Sequence, residues 1–320
     1  MKRSKLIRPR LPSGRISNKL KPICSNFCAD KVSRRIMYRF LIVGCGYVGS
    51  AIGRSLSEKR QKVWGMVRSQ DHAATLNQAG IMPYVCDLTR PETLQQLPAA
   101  DFVVICPAPD KRDVKSYQAV YLKGIQNFLN AYAKQASPQL TIYVSSTGVY
   151  GNQGGEWVDE ATEPMPDTDL AKVLLEAEKQ ILASPFSSVI FRLGGIYGPG
   201  RNQMETFRKK KMKIETEERW LNLIHIDDIA QTARALLNRT QPNSVYLGVD
   251  DEPVRRSVFL DWLSKHSGNS FPAVKRISQT DKIIGKRCRN QALKALGIQL
   301  KYPTFREGYG ALLVPLDNRK

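Results

Sequence analysis

The chain has 320 residues, of which 42% are hydrophobic, and a formal net charge of +20. No apolar run reaches the length of a membrane-spanning helix, and the six dispersed cysteines lack the spacing of a disulfide framework. These features exclude a transmembrane protein and a disulfide-stapled secreted domain. They predict a reduced, cytoplasmic protein with one large α/β domain and a smaller one appended.

The positive charge favours anionic ligands, but no zinc finger or aromatic RNA-binding motif accompanies it. We therefore expect a small-molecule substrate as the partner, and neither nucleic acid nor a membrane. With three histidines in the chain and no clustering of them, we also expect no metal site.

Residues 1–36 combine three prolines with many basic residues and almost no acids, which predicts a disordered basic extension. Two origins are open. The segment resembles an organellar transit peptide in composition, or it reflects the choice of start site, since Met37 lies directly before the first strand. The prolines favour the second origin because they prevent an amphipathic helix.

A glycine motif follows the apolar run 40–43, which predicts a buried parallel strand. Gly44 would make the turn, Gly46 would let the backbone approach a pyrophosphate, and Gly49 would allow close packing of helix on strand. A helix over 50–59 would then offer its N-terminal N–H groups to phosphate. The pattern predicts a dinucleotide site, with a purely structural turn as the alternative.

The second strand, 62–67, ends at Arg68. An acid at this point typically binds the adenosine ribose of NAD, whereas an arginine accommodates the 2′-phosphate of NADP. Arg68 therefore favours NADP. NAD is still an alternative cofactor, because the nearby Asp71 could accept hydrogen bonds from its ribose.

Further apolar segments alternate with amphipathic ones, which predicts a doubly wound parallel Rossmann sheet with a smaller C-terminal α/β substrate domain. The remaining strands are expected at 82–85, 101–105, 140–144, 188–193 and 245–249, and the remaining helices at 73–79, 114–133 and 228–237. We expect the NAD(P)-binding domain over 38–195 and the substrate domain over 196–320, with 221–249 returning to the first. The aromatic residues of helix 114–133, Tyr121 among them, are expected in the core.

Four motifs in this order carry a resemblance to a known family: residues 44–49, 145–151, 192–201 and 222–228. The chain resembles the extended short-chain dehydrogenase/reductase family, in its NAD-dependent epimerase/dehydratase branch. Its glycine pattern, GxGxxG, is shifted by one residue from the family's usual GxxGxxG, which indicates an atypical subgroup.

The resemblance implies an NAD(P)-binding enzyme and suggests a homodimer formed through a pair of helices. It assigns cofactor contacts to Gly44, Gly46, Tyr47, Val48, Gly49, Arg68, Asp87, Leu88, Ala108, Lys172 and Gly195. It assigns substrate contacts to Ser146, Tyr197, Arg201 and Asn222. Ser146 would be the active-site serine, and His225 with Asp227 or Asp228 would begin a helix.

The family's catalytic pair is a tyrosine followed four residues later by a lysine. Here Lys172 and Glu176 fit the family spacing, which puts Thr168 in the tyrosine position. The pKa of an aliphatic hydroxyl is too high for Thr168 to replace a phenol as acid or base. In the family position Lys172 would reach the cofactor ribose, and otherwise it is an exposed helix lysine.

Three explanations of this departure are open. Another group could carry the proton, with Tyr150, Tyr197, Glu163 and water as candidates. The protein could bind NADP as a redox-silent sensor or scaffold, or its reaction could dispense with the tyrosine. The favoured hypothesis is an NAD(P)-dependent oxidoreductase or epimerase/dehydratase-like enzyme for a small carbonyl, alcohol or sugar-nucleotide substrate.

Overall fold

A computed structural model of the chain describes residues 37–204, 217–239, 244–266 and 283–313. The predicted basic extension, residues 1–36, lies outside these ranges. Within them, no helix is both long enough and apolar enough to cross a membrane.

A seven-stranded sheet forms the centre of the molecule, with the order β11-β7-β5-β4-β1-β2-β3 and every neighbouring pair parallel. Its strands are β1 (Arg39–Val43), β2 (Lys62–Val67), β3 (Met82–Val85), β4 (Phe102–Ile105), β5 (Leu140–Ser146), β7 (Ser188–Leu193) and β11 (Ser244–Gly248). The predicted doubly wound Rossmann sheet is confirmed. Its central strands are apolar on both faces because helices cover both.

Helices occupy the two faces of the sheet as two separate hydrophobic layers. One layer packs α1 (Tyr47–Ser57), α2 (Gln70–Gln78) and α6 (Ile226–Arg239) through side chains such as Ile52, Leu76 and Ile229. The other packs α4 (Ile125–Tyr132) and α5 (Asp169–Leu182) through Phe128 and Ile181. Cys45 and Cys86 are buried in these layers as free thiols.

The predicted helix 114–133 is continuous but not uniform. It begins as α3 (Val114–Tyr117), passes through a π-helical segment (Gln118–Gly124) and continues as α4. A π segment inside an α-helix widens the turn and is frequent at functional sites.

A smaller part lies beyond the sheet and has its own core around Tyr197, Phe259, Phe305 and Tyr309. It contains short two-stranded pairings: β8 (Gly195–Tyr197) with β10 (Leu223–His225), β9 (Trp220–Leu221) with β12 (Val254–Arg255), and β6 (Trp157–Val158) with β13 (Arg287–Cys288). Its helices are α7 (Arg256–His266), α8 (Gln291–Ala295) and α9 (Phe305–Leu313). Between these segments the chain returns to the main sheet through α6 and β11.

Candidate functional site

A cleft of about 1100 Å³ lies at the carboxyl ends of the sheet strands. One wall comes from Val48 of α1, the loop 106–112 and the turn after β5. The opposite wall comes from residues 194–196, 219–223 and 284–286. Open α/β sheets place ligands at this edge.

The glycine turn after β1 is shaped as the sequence predicts. Gly44 has a φ of 90°, and a Cβ on it would lie 2.5 Å from Cα of Pro107. A Cβ on Gly49 would lie 2.5 Å from the Gly44 carbonyl oxygen, so helix and strand pack closely. A Cβ on Gly46 would meet nothing within 4 Å. The turn is therefore tight on its inner side and open where a ligand would approach.

Helix α1 begins at Tyr47, directly after this opening. Its first-turn N–H groups have no acceptor within the helix, and the helix dipole adds positive potential there. The Tyr47 hydroxyl donates to the carbonyl of Pro199 at 3.0 Å, while Arg201 lies over its ring. Burial raises the pKa of Tyr47. These residues fit the pyrophosphate of a dinucleotide, and Tyr47 links the turn to the opposite wall.

At the end of β2, Arg68 forms a two-bond ion pair with Asp110 from the loop after β4. Asp87, at the end of β3, accepts hydrogen bonds from the N–H and the hydroxyl of Thr89, each 2.8 Å long. Leu88 is buried next to it. Arg68 and Asp87, expected at the adenosine half of the cofactor, thus sit on neighbouring strand ends, together with one acid, Asp110, that the sequence pattern did not indicate. Asp71, the alternative ribose ligand, is exposed in the first turn of α2.

Ser146 lies in the cleft at the end of β5, as expected. Its Oγ accepts from the N–H of Gly148 at 3.0 Å, which caps a short 3-10 turn (Thr147–Tyr150). Ser145 also lines the cleft, and its buried Oγ has no hydrogen-bond partner among the described residues. Ala108 and Gly195 lie in the same cleft, on opposite walls.

Helix α5 presents aliphatic side chains to the cleft. Thr168 lines it but serves as the helix N-cap, accepting from the N–H of Ala171 at 3.2 Å. The helix positions that line it are Leu170, Ala171 and Leu174. Lys172 is 62% exposed on the other side of the helix, where its ammonium pairs with Asp169 at 2.9 Å. The structure therefore does not bring Lys172 to the other predicted cofactor residues.

The inward-facing acid of α5 is also not the one that the motif predicts. Glu178, not Glu176, faces inward, and its carboxylate binds Arg192 through hydrogen bonds of 3.0, 3.2 and 2.7 Å. Counted back from this inward acid with the same spacing, the tyrosine and lysine positions fall on Leu170 and Leu174, two residues away from those that the motif predicts. Both of these positions are apolar, and both line the cleft.

The expected substitutes for the tyrosine lie outside the cleft lining. Tyr150 is fully buried, where its hydroxyl donates to the carbonyl of Asp159 at 2.7 Å and accepts from Arg192 at 2.7 Å. Tyr197 is expected to contact the substrate, but it is buried against Tyr309. Glu163 is exposed and does not line the cleft.

Two phenols that sequence analysis missed line the cleft instead. Tyr117 ends α3, and Tyr121 lies within the π-helical segment, with their rings 5.1 Å apart. Burial raises the pKa of Tyr121, which keeps it a neutral hydrogen-bond donor. Tyr121 has the helical spacing of a core residue, and its ring does pack on the core layer. The only sequence signal that could mark it as a cleft residue is its hydroxyl group.

The wall opposite the glycine turn is basic. Arg201, Arg219 and Lys286 line the cleft there. Lys286 donates to the carbonyl of Gly151 at 3.1 Å, and burial lowers its pKa. Asn222, expected to contact substrate, uses its side-chain amide for hydrogen bonds within this wall. It donates to the Lys286 carbonyl at 2.9 Å and accepts from the N–H of Cys288 at 2.7 Å.

The segment 283–288, which we term the rim segment, is fixed by contacts with the loop around Asn152. The Asn152 side chain accepts from the N–H of Gly285 at 2.8 Å. The guanidinium of Arg287 lies over two indoles, 4.8 Å from the ring centre of Trp157 and 5.2 Å from that of Trp220. These contacts hold Lys286 at the mouth of the cleft.

Comparison with known proteins gives concordant results. Residues 40–248 match the model of the NAD dependent epimerase/dehydratase family. The protein YeeZ of Escherichia coli K12 is 30% identical over 293 residues, which cover 88% of this chain and 100% of that protein. An NAD-dependent epimerase/dehydratase candidate of known structure from Methylobacillus flagellatus is 34% identical with a TM-score of 0.74, covering 87% of this chain and 98% of that one.

A more distant likeness concerns the fold alone. UDP-glucose 4-epimerase from Thermotoga maritima, solved with UDP-glucose, is 15% identical with a TM-score of 0.72. The match covers 86% of this chain and 97% of that one.

Proposed function

Because the chain belongs to the NAD dependent epimerase/dehydratase family, we propose that it is an NAD(P)-dependent oxidoreductase or epimerase/dehydratase-like enzyme. Its substrate would be a small alcohol or carbonyl compound with an anionic group, and sugar nucleotides are the favoured class. The observation that carries the proposal is the glycine turn, open at Gly46, at the edge of a cleft whose far wall is basic.

The cofactor would lie along the strand ends. The first turn of α1 would bind the pyrophosphate, Arg68 and Asp87 the adenosine ribose, and Ala108 and Gly195 the nicotinamide half. Arg68 favours NADP. When bound, the nicotinamide ring gives or takes a hydride at a substrate carbon.

The substrate oxygen would accept a hydrogen bond from Ser146, at the point where the cofactor and substrate parts of the cleft meet. Helix α5 offers no proton donor there, since Leu170 and Leu174 line that part of the wall. The phenols of Tyr117 and Tyr121 are the neutral donors on the same side. Because burial raises the pKa of Tyr121, we assign it the role of a hydrogen-bond donor only. The proton would then come from Tyr117, which belongs to a helix other than the one that carries it in the family pattern.

The anionic part of the substrate would contact Arg201, Arg219 and Lys286. Charge-assisted hydrogen bonds from such groups suit a phosphate or carboxylate. The Thermotoga maritima epimerase, a protein of the same fold, was solved with UDP-glucose, so we propose sugar nucleotides as the first class to test.

Calorimetric titration of the full-length chain with NADP and NAD tests the cofactor site. Gly46→Glu is expected to weaken binding about 100-fold or more, because it directs a carboxylate at the pyrophosphate. Gly310→Glu is the control, since a Cβ on Gly310, within α9, would likewise meet nothing within 4 Å. Equal affinities in both variants would contradict the cofactor assignment.

Turnover is tested separately by following nicotinamide absorbance with a panel of sugar nucleotides, small ketones and alcohols. Consumption or production of reduced cofactor supports an oxidoreductase, and conversion of a sugar nucleotide without net cofactor change supports an epimerase. Cofactor binding with no conversion of any substrate would favour the redox-silent sensor instead.

A further inference from the structure

Arg68, the residue expected at the 2′-phosphate of NADP, already holds a carboxylate. Asp110 comes from another strand end, 42 residues later in the chain, and pairs with the guanidinium through both of its oxygens. The bond from Nη1 of Arg68 to Oδ2 of Asp110 is 2.6 Å long. A guanidinium binds a phosphate with this same two-pronged geometry. The Asp110 carboxylate therefore occupies the donors that a phosphate would use.

The loop that carries Asp110 follows the expected path of the cofactor. It leaves β4 at Cys106, whose thiol contacts the carbonyl of Gly44 at 3.2 Å. Pro107 then packs directly on Gly44 of the glycine turn. Three residues later Asp110 reaches Arg68 at the end of β2, and it lines the cleft. The loop thus spans from the pyrophosphate end to the adenosine end of the predicted site.

Two acids act on the guanidinium of Arg68 at the adenosine end of the predicted site. The hydrogen bonds with Asp110 are the main cause that raises the pKa of Arg68, and Asp87 adds a smaller electrostatic contribution. Arg68 thus faces two carboxylates, while Lys111 and Arg112, which follow Asp110 on the same loop, add positive charge to the cleft. A 2′-phosphate can take both donors of the Arg68 guanidinium only if the Asp110 carboxylate moves away.

Asp110 is the acid that can move. Its side chain is 71% exposed and makes no hydrogen bond besides those to Arg68 in the part of the chain that the structure describes. Asp87, in contrast, is held by its two hydrogen bonds with Thr89. An exposed pair of this kind has a small net stability, so a ligand can break it.

We propose that Asp110 sets the cofactor preference, because its carboxylate competes with the 2′-phosphate of NADP for the guanidinium of Arg68. NADP binds by displacing Asp110. NAD binds with the pair intact, and its 2′-hydroxyl donates to the Asp110 carboxylate. The inference rests on the proposed function and specifies which residue selects between the two cofactors.

Calorimetric titration of the full-length chain with NADP and NAD tests this competition. Asp110→Asn is expected to tighten NADP binding about three- to tenfold, because the neutral amide holds the guanidinium less strongly. NAD binding should stay within about twofold or weaken. In the Arg68→Ala background the gain for NADP should disappear, since there is no guanidinium to release.

Asp169→Asn is the matched control. It also removes one negative charge from an exposed ion pair, with Lys172, on the outer face of α5. Asp169→Asn should leave both affinities unchanged. Thermal unfolding midpoints of all variants should agree, because Asp110 and Asp169 are both exposed.

The alternative outcomes separate the two proposals. An unchanged NADP affinity in Asp110→Asn overturns the competition. Equal weakening of the NADP and NAD affinities also overturns the competition, because that result would mean that Asp110 only holds the loop in place. A gain that persists in Arg68→Ala shows only a general effect of charge. If the wild-type chain binds neither nucleotide, the proposed function fails as well.

Discussion

At the scale of single residues, Asp250 is a buried acid that is only partly hydrogen-bonded. Its side chain is 2% exposed, Oδ1 accepts from the N–H of Glu252 at 3.2 Å, and Oδ2 has no hydrogen-bond partner among the described residues. Burial raises the pKa of Asp250 well above its ordinary value, and it raises the pKa of Asp228 to about 6. Both acids are therefore harder to ionise in the folded protein than in the unfolded chain.

Asp250→Asn should stabilise the protein at neutral pH. A carboxyl group whose pKa is higher in the folded state costs stability as pH rises above its unfolded pKa of about 4. Asparagine does not titrate, so the gain should be near zero at pH 4 and about 1–2 kcal/mol at pH 8. Urea unfolding at the two pH values measures it. The exposed Asp261→Asn is the control, and a variant that is less stable at pH 8 would contradict the prediction.

The sequence pattern places Lys172 in the cleft, whereas the structure places Lys286 there. Lys286→Met should raise KM for the anionic substrate found by the screen at least about tenfold, because a charged hydrogen bond is lost. Lys172→Met should leave KM unchanged, since that ammonium pairs with Asp169 outside the cleft. The reverse result would restore Lys172 to the site and remove Lys286 from it.

The difference shows what local spacing leaves undecided. Lys172 and Glu176 have the family spacing, but the phase of the helix follows from which side chains are buried. Ala171, Ala177 and Ile181 turn the helix so that both charged residues face solvent. The apolar spacing of α5, unlike the motif, indicates that Lys172 and Glu176 face solvent.

Among the elements, α5 depends on one buried ion pair. Glu178 and Arg192 join the helix to β7, and Arg192 also donates to the hydroxyl of Tyr150. Glu178→Gln should destabilise the protein by about 3–4 kcal/mol, because the guanidinium stays buried without its counter-ion. Glu176→Gln, on the exposed face, should change stability by less than about 0.5 kcal/mol. Chemical denaturation of both variants measures the contrast, and similar losses would contradict the inward position of Glu178.

The role of the turn after β10 also differs from the expectation. Asp227 or Asp228 is expected to cap α6, but the helix begins at Ile226, so both acids lie within its first turn. Asp228 accepts from the backbone N–H groups of Lys301 and Tyr302, at 2.5 and 3.1 Å. Asp227 pairs with the side chain of Lys301. The two acids therefore attach the C-terminal loop to α6, a contact across more than 70 residues that no local pattern reveals.

At the scale of the whole molecule, the seven strands of the sheet follow from the sequence because each is built around a short apolar run. The cofactor half of the cleft is similarly local, since a strand, three glycines and a helix start within 11 residues of each other. The substrate half is assembled from residues near 150, 200, 220 and 286. No single stretch encodes that wall, and the pairing of Arg68 with Asp110 is equally non-local.

The position of the rim segment has a consequence for biosynthesis. A ribosome adds about 5–20 residues per second from the N-terminus, and domains fold as they emerge. The last strand of the main sheet is complete at Gly248, whereas the rim segment occupies residues 283–288. A nascent chain can therefore complete its sheet, glycine turn included, before the rim segment has emerged from the ribosome to close the mouth of the cleft.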